Sequence, residues 1–398
     1  MSAPVTPLAR RMADIAPFHV MELLARAKQL EAQGRSVIHM EVGEPDFVTC
    51  RPILEAGQRA LAEGRTSYTV ATGIPELRQA ISGFYRDRYR VAVGPERIIV
   101  TPGASGALQL VTGVLLDPGD QVLLADPGYP CNRHFVRLVE GEAVTIPTGP
   151  ESGYQLTAEL VARHWTPRTR AVLLASPANP TGTLVPPAEL AAILAVVEAR
   201  GGRLIVDEIY LGLVYGDAVN TPSALAISDH LFVVNSFSKY FGMTGWRLGW
   251  LVTPPEYARE VEKLAQNLFI AAPSVAQYAA LAAFTPEALA ICEQRRLAFQ
   301  ERRDFLLPAL RRLGLRIPIE PQGAFYLYAD CSRFTDDSYR FCFELLEKTG
   351  VAITPGIDFG SHQAAHHVRF AYTNSLRNLC EAVVRLEQAL GTAAAGAG

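Results

Sequence analysis

The stretch RIIVTPGASGALQLVTGVLL, Arg97 to Leu116, carries the fold in miniature: a short apolar run rich in β-branched residues, a glycine-rich turn, then an apolar helical segment. A strand that is apolar throughout must be covered on both faces, which is the mark of a parallel sheet packed between helices. The unit recurs as QVLLAD before NRHFVRLVE and as AVLLAS before PAELAAILAVVEARG, and the rhythm continues with RLIVDE, LFVVNS and RLGWLVT. Gly94 to Thr253 therefore predicts an α/β core, a mostly parallel central sheet with helices on both faces. Upstream lie an amphipathic helix (FHVMELLARAKQLEAQG), a strand (VIHMEV) and two further helices (RPILEAGQRALAEG, PELRQAISGFYRDRY). Downstream come a long charged helix (EQRRLAFQERRDFLLPALRRLG), strands near AFYLYAD and HVRFAY, and a closing helix (LRNLCEAVVRLEQALG). At 398 residues the chain exceeds what one core usually holds. A large domain over 48–285 is expected, with a smaller α+β domain built from both ends, 1–47 and 286–398. The tail TAAAGAG is expected to be disordered.

Composition narrows the function. A net charge of -3 without a run of lysine or arginine argues against nucleic acid as a partner. The longest apolar run, LAAILAVV at Leu190–Val197, sits between Glu189 and Glu198 and falls far short of the ~20 residues a bilayer needs. The N-terminal segment lacks the apolar core of a signal peptide. Six cysteines include no CxxC, so reduced thiols in a cytoplasmic protein are expected. His362 and His366 or His367 could stand one helical turn apart, but no third ligand is evident and no metal is expected. Cys131 reads as a small, partly buried neutral residue. The arginine-rich helix from Gln294 to Arg312 reads as a solvated face with acidic partners at helical spacing.

In an open sheet of this kind, ligands gather beyond the carboxyl ends of the strands. Four endings are polar. RIIVT runs into PGASGAL, where the N–H groups of Ala104 and Ser105 begin a helix and would suit a phosphate. AVLLAS runs into PANPTG, with Asn179 between prolines, although a plain turn reads equally well. RLIVDEIY ends on Asp207 and Glu208, followed by Tyr210; an acid closing a buried strand must be paired, coordinated or catalytic. LFVVNSFSK delivers Ser236, Ser238 and Lys239, with Arg247 further on, and a serine and an arginine together suit a phosphate.

Lys239 is one of only four lysines, and the other three (Lys28, Lys263, Lys348) lie in amphipathic contexts. Where an amine must lose its proton and attack a carbonyl, arginine is no substitute. The plainer alternative is a stem packed on Phe241 with its ammonium in solvent. Each feature taken singly has such an alternative. Together they describe one ligand carrying a phosphate, a carbonyl, a polar oxygen and a basic nitrogen, and pyridoxal 5'-phosphate has all four.

On these residues the chain resembles the class I and II aminotransferases of the fold-type I pyridoxal-phosphate enzymes, over nearly its whole length. The resemblance is carried by VGEPDF (Val42–Phe47), YTVATGIPELR (Tyr68–Arg78), TPGASGAL, DPGYP, SPANPTG, VDEIY, SFSKYFGMTGWRLG and VRFAY, in the family's order and approximate spacing. It implies that 48–285 binds the cofactor. Lys239 would hold it as a Schiff base and then act as base and acid in turn. Asp207 would keep the pyridine nitrogen protonated. Asn179 and Tyr210 would bond the ring phenolate, and Tyr129 would stack on the ring. Ala104, Ser105, Ser236 and Arg247 would anchor the phosphate; Ser238 either joins them or bonds local backbone. Tyr68 would reach the phosphate of the neighbouring subunit in a homodimer with shared active sites.

For the substrate, the resemblance implies Arg369 as a fork for the α-carboxylate, assisted by the N–H of Gly43. Dicarboxylate-specific relatives often carry a second arginine in the region that here reads QNLFIAAPSVAQY, which has none. Leu268, Phe269 and Ile270, with Phe18, suggest room for an apolar or mixed side chain. The implied reaction passes the amino group of an α-amino acid to a 2-oxo acid, 2-oxoglutarate on family grounds, by a ping-pong route. Carbon–sulfur β-lyases and cyclopropane-forming synthases share the scaffold. So do ligand sensors, which add a DNA-binding domain for which the sequence before Phe18 is too short.

Overall fold

The structure is a computed structural model that describes residues 8–395. The chain opens with α1 (His19–Ala32), the two-residue strand β1 (Ile38–His39), α2 (Arg51–Ala62) and α3 (Pro75–Phe84). The α/β core follows as β2 (Ile98–Thr101), α4 (Gly103–Leu115), β3 (Gln121–Asp126), α5 (Pro130–Leu138), β4 (Glu142–Pro147), α6 (Ala158–His164) and β5 (Thr169–Ala175). It continues through α7 (Pro187–Ala199), β6 (Arg203–Asp207), β7 (Phe232–Ser236) and β8 (Gly249–Val252). Then come α8 (Ala258–Leu268), α9 (Ser274–Leu281), α10 (Pro286–Arg312), β9 (Tyr326–Asp330), α11 (Ser338–Thr349), β10 (Val351–Ala352), β11 (Thr354–Pro355), β12 (His367–Ala371) and α12 (Leu376–Ala395).

The central sheet has seven strands in the order β2-β8-β7-β6-β5-β3-β4. Only β8 is reversed: it pairs antiparallel with β7 and β2, while β3 to β7 pair in parallel. Successive strand residues face opposite ways. Ile98, Val100, Leu204, Val206 and Val233 thus enter one apolar cluster, whereas Ile99, Ile205, Phe232 and Val234 enter a second on the other face. The first cluster runs on without a break into the C-terminal portion through Phe325, Tyr326 and Phe370. There, β1 pairs with β10, and β11, β12 and β9 form a three-stranded antiparallel sheet. The N-terminal segment is threaded between these sheets, since Met40 donates to the Ala352 carbonyl and accepts from Ala371.

Four readings need correction. β4 was not anticipated: as an edge strand with mostly part-exposed side chains, it lacks the apolar signal of its neighbours. The arginine-rich helix is not simply a wet face, because Arg296, Arg302 and Arg303 on α10 are buried. Arg302 forks Asp46 at 2.7 and 3.0 Å and packs on Phe47 and Phe299, while Arg303 and Arg296 donate to the Pro321 and Val214 carbonyls. Planar guanidinium groups satisfy loop carbonyls that a buried helix face could not otherwise serve. The tail begins helical, with α12 continuing to Ala395 through alanines, the strongest helix formers; 396–398 lie outside the described residues. Finally, VIHMEV pairs over only two residues. Among the described residues no single helix is long and apolar enough to cross a membrane.

Candidate active site

The parallel strands bring their carboxyl ends to one edge of the sheet, and the reversed β8 brings the residues before its start, Arg247 and Leu248, to that same edge. A cavity of about 420 Å³ opens there, and all the candidate site residues except Tyr68 line it.

One end is built for an anion. Gly103 opens α4 at φ +72°, so the N–H groups of Ala104 and Ser105 fall in the first turn, where helices leave donors unpaired. Glycine is required here: a Cβ at Gly103 would stand 2.8 Å from the Arg247 guanidinium, and one at Gly249 would stand 2.8 Å from the Ala104 nitrogen. Gly249 faces Thr101 on one side and Ser236 on the other. The missing side chains let helix start, guanidinium and strand close together. Arg247 donates to the Thr244 carbonyl at 3.0 Å, and no carboxylate pairs with it among the described residues. The Ser236 hydroxyl lies 3.0 Å from that of Ser238, and both residues are buried at the cavity wall. Ser238 thus joins the anion end instead of serving backbone alone. A helix start and an unpaired guanidinium together favour a multiply charged anion such as a phosphate.

Lys239 points inward, not to solvent, which removes the alternative of an ammonium carried out past Phe241. Its Nζ donates to the Gly43 carbonyl at 2.6 Å and lies 5.9 and 5.8 Å from the centres of the Tyr210 and Phe325 rings. Burial lowers its pKa to about 8, with Glu44 opposing and Arg369 and Arg247 assisting. Gly43, whose N–H was expected to assist at the substrate, thus also offers its carbonyl to Lys239.

Asp207 closes β6, buried, with Oδ1 accepting from the Ile209 N–H at 3.0 Å; burial pushes its pKa up to about 6. Strand alternation sends Glu208 the other way, where it accepts from Ser223 and from the Ala224 N–H at 2.6 Å and anchors a loop outside the cavity. The two adjacent acids thus separate into one at the site and one in the scaffold. Tyr129, just before α5, is half-buried beside Cys131, whose thiol burial raises, so Cys131 is no reactive thiolate. Phe18, Val20 and Met21 close the cavity from the N-terminal side.

Arg369, from β12, is 2% exposed. Nη1 donates to Asn179 Oδ1 at 2.9 Å, and Nη2 to the Glu41 carbonyl at 2.5 Å and Thr354 Oγ1 at 3.2 Å. The guanidinium packs 4.3 Å from the Tyr326 ring centre and 4.8 Å from that of Phe359, and its Nε is buried without a partner. A buried donor left unpaired costs about 1–3 kcal/mol, so this orientation awaits an acceptor.

One expectation is not met: Leu268, Phe269 and Ile270 do not line the cavity, while Tyr68, expected to serve a neighbouring subunit, is 81% exposed outside it. α8 ends at Leu268 and Ile270 takes φ +63°, which leaves Leu268 and Ile270 about half exposed while Phe269 packs against the core around α4. Of the histidines, His367 stacks on Tyr328 at 4.7 Å, and no three ligand side chains come together for a metal among the described residues. Tyr326 was missed: it lines the cavity, and its hydroxyl lies 2.7 Å from that of Tyr210. The only sequence signal was that a tyrosine in a buried strand needs a polar partner.

An anion cradle at one end, a desolvated amine, a buried carboxylate opposite and an arginine with an unused donor fit pyridoxal 5'-phosphate with an amino acid beside it. Comparisons with known proteins agree. The profile of the family described as aminotransferase class I and II matches residues 35–386. Valine–pyruvate aminotransferase of Mycobacterium tuberculosis is 42% identical over 94% of this chain and 96% of its own length. Aspartate/prephenate aminotransferase of Thermus thermophilus is 38% identical over 97% and 99%. A crystal structure of an aminotransferase from Mycobacterium tuberculosis superposes with a TM-score of 0.94 at 42% identity, covering 98% of this chain and all of that one. This chain belongs to the class I and II aminotransferases, enzymes of the fold-type I scaffold that transfer amino groups with pyridoxal 5'-phosphate.

Proposed function

We propose that the enzyme passes the amino group of an α-amino acid to a 2-oxo acid by a ping-pong route, with the residue roles given below. The observation that carries this reading is the amine of Lys239, turned into the cavity between the anion cradle and the arginine clamp. With its pKa lowered to about 8, roughly a tenth of it is neutral at pH 7, against less than about a thousandth for an ordinary lysine. The cofactor, when bound, supplies an electron sink at the substrate's α-carbon. Lys239 would hold the cofactor covalently and, as base and acid in turn, would move a proton at the substrate's α-carbon. Ala104, Ser105, Ser236 and Arg247 hold the phosphate, with Ser238 beside them. Asp207 keeps a proton on the pyridine nitrogen; a buried acid is stabilised by a cationic partner. Asn179 and Tyr210 bond the ring oxygen, and Tyr129 covers the ring face. Arg369 forks the substrate carboxylate beside Gly43, with Phe18 over the side chain.

We further propose a cytoplasmic homodimer in which Tyr68, exposed in one subunit, completes the partner's site. The pairing of β1 with β10 supports a division into a cofactor domain over 48–285 and a smaller one from 1–47 and 286–398. All six cysteines remain free thiols, in keeping with a reducing compartment.

2-Oxoglutarate is the acceptor suggested by family habit. A second reading, a monocarboxylic acceptor, is favoured by the cavity's charges. Among the described residues its only lysine or arginine side chains are Lys239, Arg247 and Arg369, each assigned above to the cofactor or to the α-carboxylate, and Glu41 and Glu44 stand in its wall. The Mycobacterium tuberculosis relative is named for pyruvate. Steady-state rates with valine as donor and either 2-oxoglutarate or pyruvate as acceptor decide between them, and parallel double-reciprocal lines are expected for the better one. Release of ammonia and pyruvate from cysteine or a β-substituted alanine, with no oxo-acid requirement, would instead reveal a β-lyase and overturn the transfer reaction.

A further inference from the structure

We propose that Tyr326 is a positioning residue with two separable functions: its hydroxyl orients and polarises Tyr210, and its ring face supports the Arg369 guanidinium. The proposal rests on the roles given above to Tyr210 and Arg369.

Tyr326 begins β9, on the three-stranded sheet, while Tyr210 follows β6 on the central sheet. Its side chain therefore bridges the two sheets inside the cavity wall. It is 1% exposed, its hydroxyl lies 2.7 Å from that of Tyr210, and the two rings meet edge to face at 5.7 Å. Each phenol has one proton to give. When Tyr326 donates to Tyr210, the Tyr210 proton is freed for an acceptor in the cavity, and a donor within a chain of hydrogen bonds is strengthened by the bond it receives. Arg369 biases this direction. Its charge, 4.3 Å from the Tyr326 ring centre, draws density from that ring and makes its hydroxyl the better donor of the pair.

Gly43 locks the arrangement. A Cβ there would lie 2.0 Å from the Tyr326 hydroxyl, so the segment that also offers its carbonyl to Lys239 closes directly over this phenol. Tyr326 consequently touches, within one side chain, the residue assigned to the cofactor's ring oxygen and the residue assigned to the substrate's carboxylate. With the Tyr326 hydroxyl gone, Tyr210 donates less strongly, the ring oxygen keeps more negative charge, and it holds the neighbouring proton more tightly.

The test uses the full-length holoenzyme and reads the acid–base midpoint of the bound cofactor's absorbance, together with the affinity for propionate followed by the same absorbance. Tyr326→Phe keeps the ring and should raise the midpoint by roughly 0.3 to 1 pH unit while leaving propionate affinity within about twofold. Tyr326→Leu also loses the ring face and should weaken propionate by roughly 3- to 30-fold. Tyr326→Met serves the same comparison if leucine prevents folding. Tyr210→Phe is the reference and should move the midpoint further than Tyr326→Phe does. A midpoint unchanged in Tyr326→Phe, with Tyr210→Phe shifted, overturns the hydroxyl function alone. Propionate affinity unchanged in Tyr326→Leu and Tyr326→Met overturns the ring function. If neither tyrosine variant moves the midpoint, the role given to Tyr210 falls, and the hydroxyl function proposed for Tyr326 with it.

Discussion

Replacing Arg369 by lysine keeps a positive charge and removes the fork. The guanidinium is fixed by Asn179, Glu41 and Thr354 on its Nη atoms and by aromatic rings at 4.3 and 4.8 Å, with Nε left over. It is oriented before any substrate arrives. A charge-assisted hydrogen bond contributes about 1.5–3 kcal/mol, and about 1.4 kcal/mol is a factor of ten. Arg369→Lys, which retains one such bond of two, should lose roughly 10- to 150-fold in kcat/KM for an amino acid. Arg369→Leu, which loses both, should fall roughly 100- to 20,000-fold. The assay is a single turnover, following the cofactor's absorbance after mixing with an α-amino acid and, separately, with an alkylamine that has no carboxylate. The amine cannot use the fork, so wild type and variants should react with it at rates within about threefold. Arg369→Leu also strands Asn179 Oδ1, at about 1–3 kcal/mol of stability, which urea denaturation measures so that unfolding is not mistaken for lost recognition. An equal loss with both substrates would refute the reasoning, because the arginine would then act on something other than the carboxylate.

Two further outcomes follow from the geometry. Burial raises the Asp207 pKa from 3.8 to about 6, so its contribution to stability is present below the unfolded value and is lost as pH rises through the folded one. In the cofactor-free protein, Asp207→Asn should therefore stabilise by up to about 3 kcal/mol at pH 8, with little effect near pH 4. Denaturation curves at both values check this, and turnover should fall at the same time. Gly43→Ala should cost about 1–3 kcal/mol by pressing on the Tyr326 hydroxyl at 2.0 Å. Tyr326→Phe should recover part of that loss in a double-mutant cycle, and strict additivity would show that the two do not meet.

The sequence disclosed residues whose chemistry conflicts with their surroundings. Asp207 and Lys239 stood out because a charge next to an apolar strand demands a reason, and both line the cavity. Glu208 looked the same in sequence; only strand alternation and the loop at Ser223 separate it from its neighbour. Tyr326 was not legible, since it resembles any core aromatic and its partner Tyr210 is 116 positions away. The reversal of β8 was hidden for a related reason, because RLGWLVT is as apolar as its parallel neighbours. Yet that reversal is what brings Arg247 to the anion end. The arginines of α10 misled because helical spacing reports which side chains share a face, not what covers it. Leu268 and Ile270 misled because their position depends on a single positive-φ residue after α8. Tyr68, exposed in this chain, is the residue whose proposed role requires a second subunit.

The account depends on the nitrogen of Lys239 bonding the cofactor. Borohydride reduction of the holoenzyme, followed by proteolysis and mass spectrometry, tests this directly. A single peptide spanning Asn235 to Arg247, carrying a pyridoxyl phosphate on Lys239, is the result expected. A label on Lys28, Lys263 or Lys348, or no label in protein that still turns over, would contradict it.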